Sequence, residues 1–213
     1  IFPVKDICAL ARQRGIVTIV DGAHAYAQFP FKLDDFGCDY YGTSLHKWLL
    51  APIGTGFLYV RRDRIKSTWA LQPAPASMAD NIRKFEEIGT HPAATHNAIA
   101  EAIVFHRGIG VERKAARLRY LRDRWATRLK SQPRFRIHTP LGDPALSCAI
   151  GTVGIDGMKP GDITSALWAK WRIIATPIDV KDEYNGIRVT PNVYTTLDEV
   201  DTFASAMESI AKT

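Results

Sequence analysis

Residues 16–20, IVTIV, constrain the fold more than any other stretch of the chain. The run is β-branched and reads as continuously apolar, the pattern of a strand buried on both faces of a parallel sheet. It is preceded by VKDICALARQRG, residues 4–15, which has helical spacing and stops at Gly15. A turn-rich passage containing Asp34, Asp35 and Gly37 then leads to a second strand, CDYYGTSL, residues 38–45. A third, GTGFLYV, residues 54–60, is ended by RRDR. Alternating helix and strand signals of this kind predict α/β architecture.

The pattern changes after LQPAPAS, residues 71–77, a proline-broken linker. A helix follows over residues 91–108, and then the basic helix of residues 111–130. Beyond them come the short strands FRIHT, LSCAIGTVGI, RIIATPI and GIRVTP, with two helices, GDITSALWAKW and LDEVDTFASAMESIAK. Thr196 and Glu199 fit a capping box at the start of the last helix. Trp168 and Trp171, at helical spacing, are expected in the core. The chain therefore divides into residues 1–72, part of a large α/β domain; 73–105, a linker with a helical segment; and 106–213, a smaller α+β domain. It opens without methionine in the middle of an α/β unit, which predicts the C-terminal part of a longer protein.

Charge narrows the function classes. The net charge of +6 is accounted for by residues 111–130, where eight Lys or Arg accompany two acidic residues. Val111, Ala115, Leu118, Leu121, Trp125 and Leu129 recur at three and four, so this is an amphipathic helix. Its basic face could hold nucleic acid, yet no aromatic platform, zinc pattern or helix-turn-helix signal accompanies it. A solvated face is the expected role. No apolar run is long enough to span a bilayer. Cys8, Cys38 and Cys148 are unclustered and lack metal-ligand spacing, which points to reduced thiols in a cytoplasmic setting and to no metal site.

In open α/β sheets, ligands bind beyond the carboxyl ends of the strands. Asp21 ends IVTIV and is followed by GAHA, whose small residues permit close approach to the backbone; Lys47 lies just past CDYYGTSL. With parallel strands, the carboxylate and the amine share one sheet edge. One reading is a structural ion pair. The other is a pyridoxal-phosphate site, with Lys47 forming a Schiff base and Asp21 pairing with the ring nitrogen. Such a lysine must be available as a neutral amine, which desolvation by Trp48, Leu49 and Leu50 would favour. Ser44 and His46 flank it with donors suited to a phosphate.

VDGAHA, followed by DYYGTSLHKWLLAPIGTGFLYV and GIRVTPNVYTTLDEVDTFASAM, resembles the class V, cysteine desulfurase-like family of pyridoxal-phosphate enzymes. Within it the nearest likeness is to the isopenicillin N epimerase-like branch. The resemblance implies a fold type I enzyme: the C-terminal part of a large domain with a mostly parallel sheet, plus a small α+β domain. It implies that Lys47 carries the cofactor and shuttles the α-proton, that Asp21 binds the ring nitrogen, and that His24 contacts the ring hydroxyl. Ser44 and His46 would hold phosphate oxygens. Thr90, in EEIGTHP, would reach the phosphate held by a second subunit, implying a homodimer. Arg188 would grip the carboxylate of an amino-acid substrate through a bidentate pair. His91, His96, His106 and His138 match no family position.

Two departures bear on the reaction. Desulfurases of this family carry a catalytic cysteine on a loop before the carboxylate-binding arginine, whereas RIIATPIDVKDEYNGIR has none. Cys148 lies in an apolar strand, which argues against persulfide chemistry. The ring-stacking residue and part of the phosphate loop belong to family regions preceding this chain. Epimerisation is the first expectation, with a C–S lyase or an aminotransferase as alternatives and, from another class, a non-catalytic nucleic-acid-binding protein using residues 111–130.

Overall fold

The computed structural model describes residues 1–212 and divides into two compact units, Phe2–Val111 and Glu112 onward, the latter joined by Ile1. The first unit opens with helix α1, Val4–Gln13, which ends ahead of Gly15 in the left-handed conformation (φ 67°). Strand β1, Ile19–Asp21, runs parallel to β2, Tyr40–Ser44, with Ile19 opposite Tyr40 and Asp21 opposite Gly42. Strand β3, Gly56–Val60, lies antiparallel to β2. The sheet is thus mixed, because residues 45–55 hold no crossover helix and the chain simply turns back. Cys8, Cys38 and Tyr41 form the core beneath it, packed by Val4, Val20, Phe31, Phe36 and Phe57.

Two expectations need correction here. Within this chain the strand covers only Ile19–Asp21, where Ile19 is 78% exposed and Val20 turns to the core. Among the described residues β1 pairs with β2 alone, so its residues alternate as in a one-faced strand. At Gly22 the space on the side-chain face of the backbone is already taken. A Cβ there would fall 1.9 Å from the buried Tyr41 ring, so the close approach is that of a core side chain.

The second unit is a four-stranded antiparallel sheet in the order β4 (Phe135–Ile137), β5 (Gly151–Ile155), β7 (Tyr184–Val189), β6 (Thr176–Val180). After α2 (Ala93–Asn97) and α3 (Ile99–Ile109), helices α4 (Val111–Lys130), α5 (Pro160–Trp171) and α6 (Leu197–Ile210) enclose a core with this sheet. Leu121, Trp125 and Leu129 of α4 meet Val153, Ile187, Phe203 and Met207 in that core. The capping box of α6 is present: Glu199 N–H donates to Thr196 Oγ1 and Thr196 N–H to Glu199 Oε2. Trp171 packs against the core, but Trp168 does not, being 49% exposed beneath the Arg172 guanidinium.

The basic face of α4 is solvated in part, with Arg113, Arg124 and Lys130 exposed, and in part engaged by the protein itself. Arg124 and Arg128 are bidentate to Asp201 and Glu208 of α6, while Arg117 and Arg119 donate to backbone carbonyls. Arg122 is buried, giving its guanidinium to Ser147 Oγ and the Cys148 carbonyl, and Lys114 is wholly buried, which pulls its amine down to about 8. Of these cations Lys114 and Arg122 are thus internal, while Arg117, Arg119, Arg124 and Arg128 are partnered at or near the surface. Among the described residues no helix is long and apolar enough to cross a membrane, and no cluster of His, Cys, Asp or Glu could hold a metal.

Candidate active site

The loop bearing Lys47 is clamped at its base. Ala51 N–H donates to the Leu45 carbonyl and Leu45 N–H to the Thr55 carbonyl, so residues 46–50 project from the end of β2 as a closed turn. Leu45, Trp48 and Leu49 anchor it by burial, and Leu50 takes a left-handed conformation (φ 67°), strained for a residue with a Cβ. Tight anchoring on both sides leaves Lys47 half-buried and His46 exposed at the tip.

Asp21 and Lys47 do not pair. Among the described residues no ion pair joins them, so the structural ion-pair reading fails. Asp21 is exposed at the end of β1, where Oδ1 accepts the Ala23 N–H at 2.9 Å, fixing the carboxylate at the sheet edge. The Lys47 amine lies instead 3.3 Å from His24 Nε2. His24 follows Asp21 by one turn, held by Ala25 and Tyr26 N–H groups bonding back to the Gly22 carbonyl. Its other nitrogen, Nδ1, accepts the Trp48 indole N–H at 3.4 Å, with the rings edge to face. The sequence reading gave Trp48 only a desolvating part; its position directly after Lys47 was the available signal for more.

Ser44 closes β2 opposite Gly56, whose missing side chain is required because a Cβ would meet the Thr43 carbonyl at 2.6 Å. Thr90 sits in an exposed bend of the same unit and does not cap the helix that follows, Ala93–Asn97, whose N-cap is Pro92. Arg188 belongs to the other unit. It stands on β7 between Thr152 of β5 and Thr176 of β6 and donates to the Thr176 hydroxyl at 3.4 Å. Its Nε is buried and finds no hydrogen-bond partner among the described residues, an unmet donor of the kind a carboxylate satisfies. Cys148, just ahead of β5, is buried, and that burial pushes its thiol up, away from nucleophilic use.

The chain has the architecture of fold type I pyridoxal-phosphate enzymes, with a carboxylate and a lysine at the ends of adjacent parallel strands. The aminotransferase class-V family matches residues 1–203, and the chain belongs to that family, whose members depend on pyridoxal phosphate. It is 33% identical to isopenicillin N epimerase of Streptomyces clavuligerus over 99% of this chain and 56% of that protein. It is 31% identical to the same enzyme of Amycolatopsis lactamdurans over 100% of this chain and 57% of that protein. Cysteine desulfurase from Thermococcus onnurineus NA1 superposes with a TM-score of 0.81 at 20% identity, covering 99% of this chain and 56% of that one. The chain spans a little over half the length of these relatives.

Proposed function

We propose that this chain is the lysine-bearing portion of a pyridoxal-phosphate enzyme acting at the α-carbon of an amino acid, with epimerisation as the first reading. The observation that carries it is the unpaired arrangement of Asp21 and Lys47 at one sheet edge, where the amine meets an imidazole rather than the carboxylate. The donor set fits the cofactor: an amine to hold its carbonyl carbon, a carboxylate to keep its ring nitrogen protonated, and hydroxyl and imidazole groups for its phosphate. When bound, pyridoxal phosphate supplies an electron sink for negative charge at the substrate α-carbon. Lys47 would hold the cofactor and afterwards move the α-proton; Asp21 would orient the ring and His24 its hydroxyl. Ser44 and His46 would bind the phosphate, Thr90 would reach it from a second copy in a homodimer, and Arg188 would grip the substrate carboxylate. The three free, buried cysteines support a cytoplasmic setting.

A C–S lyase is the second reading, supported by lyases and desulfurases among the relatives. The experiment is direct. Full-length protein with pyridoxal phosphate should develop an absorption band that borohydride traps on Lys47, and Lys47→Ala should abolish both. A band unchanged in that variant would sink the proposal. Following α-proton exchange across an amino-acid set, with keto-acid and sulfur products assayed in parallel, separates epimerase from aminotransferase and lyase.

A further inference from the structure

Strands β4, β5, β7 and β6 carry one polar row across the sheet face that turns away from the core. Ile137, Val153, Ala175 and Ile187 pack against that core, so by alternation their neighbours His138, Thr152, Thr176 and Arg188 take the other face. Register sets them in line. Arg188 is opposite Thr152 on one side and Thr176 on the other, and the His138 N–H donates to the Thr152 carbonyl at 3.0 Å. Side chains placed directly opposite in this way stand about 5 Å apart.

The row is short of acceptors. A guanidinium only donates, whereas a threonine hydroxyl gives one hydrogen and accepts others. Arg188 Nη2 donates to Thr176 Oγ1 at 3.4 Å, while its Nε finds no acceptor among the described residues. Thr152 is only 9% exposed; its N–H goes to Thr139 Oγ1 at 2.8 Å, and its hydroxyl enters no hydrogen bond among the described residues. A valine would suit such a strand position without the cost of an unmet polar group. An unbonded hydroxyl beside an unbonded guanidinium nitrogen therefore marks a place for a group that only accepts. An ionised carboxylate is such a group; a carboxamide brings donors of its own.

We propose that Thr152 and Thr176 complete Arg188 as a carboxylate seat: Thr176 is a positioning residue that holds the guanidinium in the row, and Thr152 gives its hydroxyl to the carboxylate that Arg188 takes. The proposal rests on the reading of Arg188 as the grip on the substrate carboxylate and adds a selectivity to it. The seat takes free acids and rejects their amides.

The test needs no cofactor. In full-length protein labelled with nitrogen-15 in arginine, the Arg188 Nε–H signal, assigned by its absence from Arg188→Lys, is followed as acetate is added. It should move to saturation with acetate and stay in place with acetamide. Thr152→Val keeps the β-branched shape and removes the hydroxyl; it should weaken acetate about tenfold, the value of a modest hydrogen bond to a charged group. Thr176→Val should weaken it about threefold, and serine at either position should restore it to within about twofold, a rescue that packing alone does not give. Acetate affinity unchanged in both valine variants overturns the proposal, as does acetamide binding as tightly as acetate. If acetate leaves the wild-type Arg188 signal unmoved, the reading of Arg188 falls and the seat with it. If acetate moves the signal and the valine variants bind it like wild type, Arg188 stands and the seat alone falls.

Discussion

Asp39 is the knot that sets the strand register on which the candidate site depends. Its side chain, only 5% exposed, takes the Thr18 N–H at 2.9 Å and the Thr18 hydroxyl at 3.0 Å on Oδ2. Oδ1 takes Arg64 Nε at 2.7 Å and the Arg61 guanidinium at 2.9 Å. Thr18 precedes β1, Asp39 precedes β2 and Arg61 follows β3, so one carboxylate ties the same end of all three strands. Burial pushes the Asp39 carboxyl up, but the Thr18 and Arg64 hydrogen bonds and the Arg61 charge outweigh it and bring it to about 2 from 3.8. A depression of that size contributes about 2 kcal/mol, and the amide NH2 of asparagine, set against either the Thr18 or the arginine donors, adds about 1 kcal/mol. Asp39→Asn should therefore cost about 2–4 kcal/mol at neutral pH. Because the folded-state value lies below the unfolded one, the contribution is complete above about pH 4 and is lost as pH falls through about 2. Urea denaturation followed by tryptophan fluorescence should show the gap between variant and wild type shrinking across that window. A gap under about 0.5 kcal/mol at neutral pH, within the range of ordinary surface changes, would refute the reasoning, as would a gap that persists unchanged in acid.

Gly22→Ala should fail for a steric reason: the added methyl meets the buried Tyr41 ring, and displacing it costs about 1–3 kcal/mol, read as a lowered melting temperature together with weakened capture at Lys47. Arg122→Gln should destabilise the second unit by about 2–4 kcal/mol, because Ser147 Oγ and the Cys148 carbonyl lose a buried partner. That variant should leave any nucleic-acid affinity and its salt slope unchanged in a binding titration; a reduced slope without destabilisation would restore the basic-face reading.

What the sequence made legible was local chemistry. The capping box at Thr196 and Glu199 needs only residues three apart, and it is present. The apolar stripe of α4 follows from helical spacing, and Ala115, Leu118, Leu121, Trp125 and Leu129 are all buried. The fate of that helix's cations was not legible, since Asp201 and Glu208, which neutralise Arg124 and Arg128, lie far away in sequence on α6. For the same reason the burial of IVTIV is not settled by its own residues: side-chain type proposes a buried strand, but its neighbours decide how many faces are covered.

The candidate site divides along the same line. Asp21 and Lys47 could be found because strand ends and their order are written in the chain. Whether they form an ion pair could not, because that turns on where a four-carbon side chain points. The amine points to His24, 3.3 Å from its Nε2, while the other ring nitrogen meets the Trp48 indole. That cluster joins residues more than twenty positions apart, which no local pattern announces. Replacing Trp48 by another apolar residue would leave the hydrophobic pattern of the loop intact and remove the indole contact to His24. Pattern and chemistry part company at this position, so the two must be tested separately.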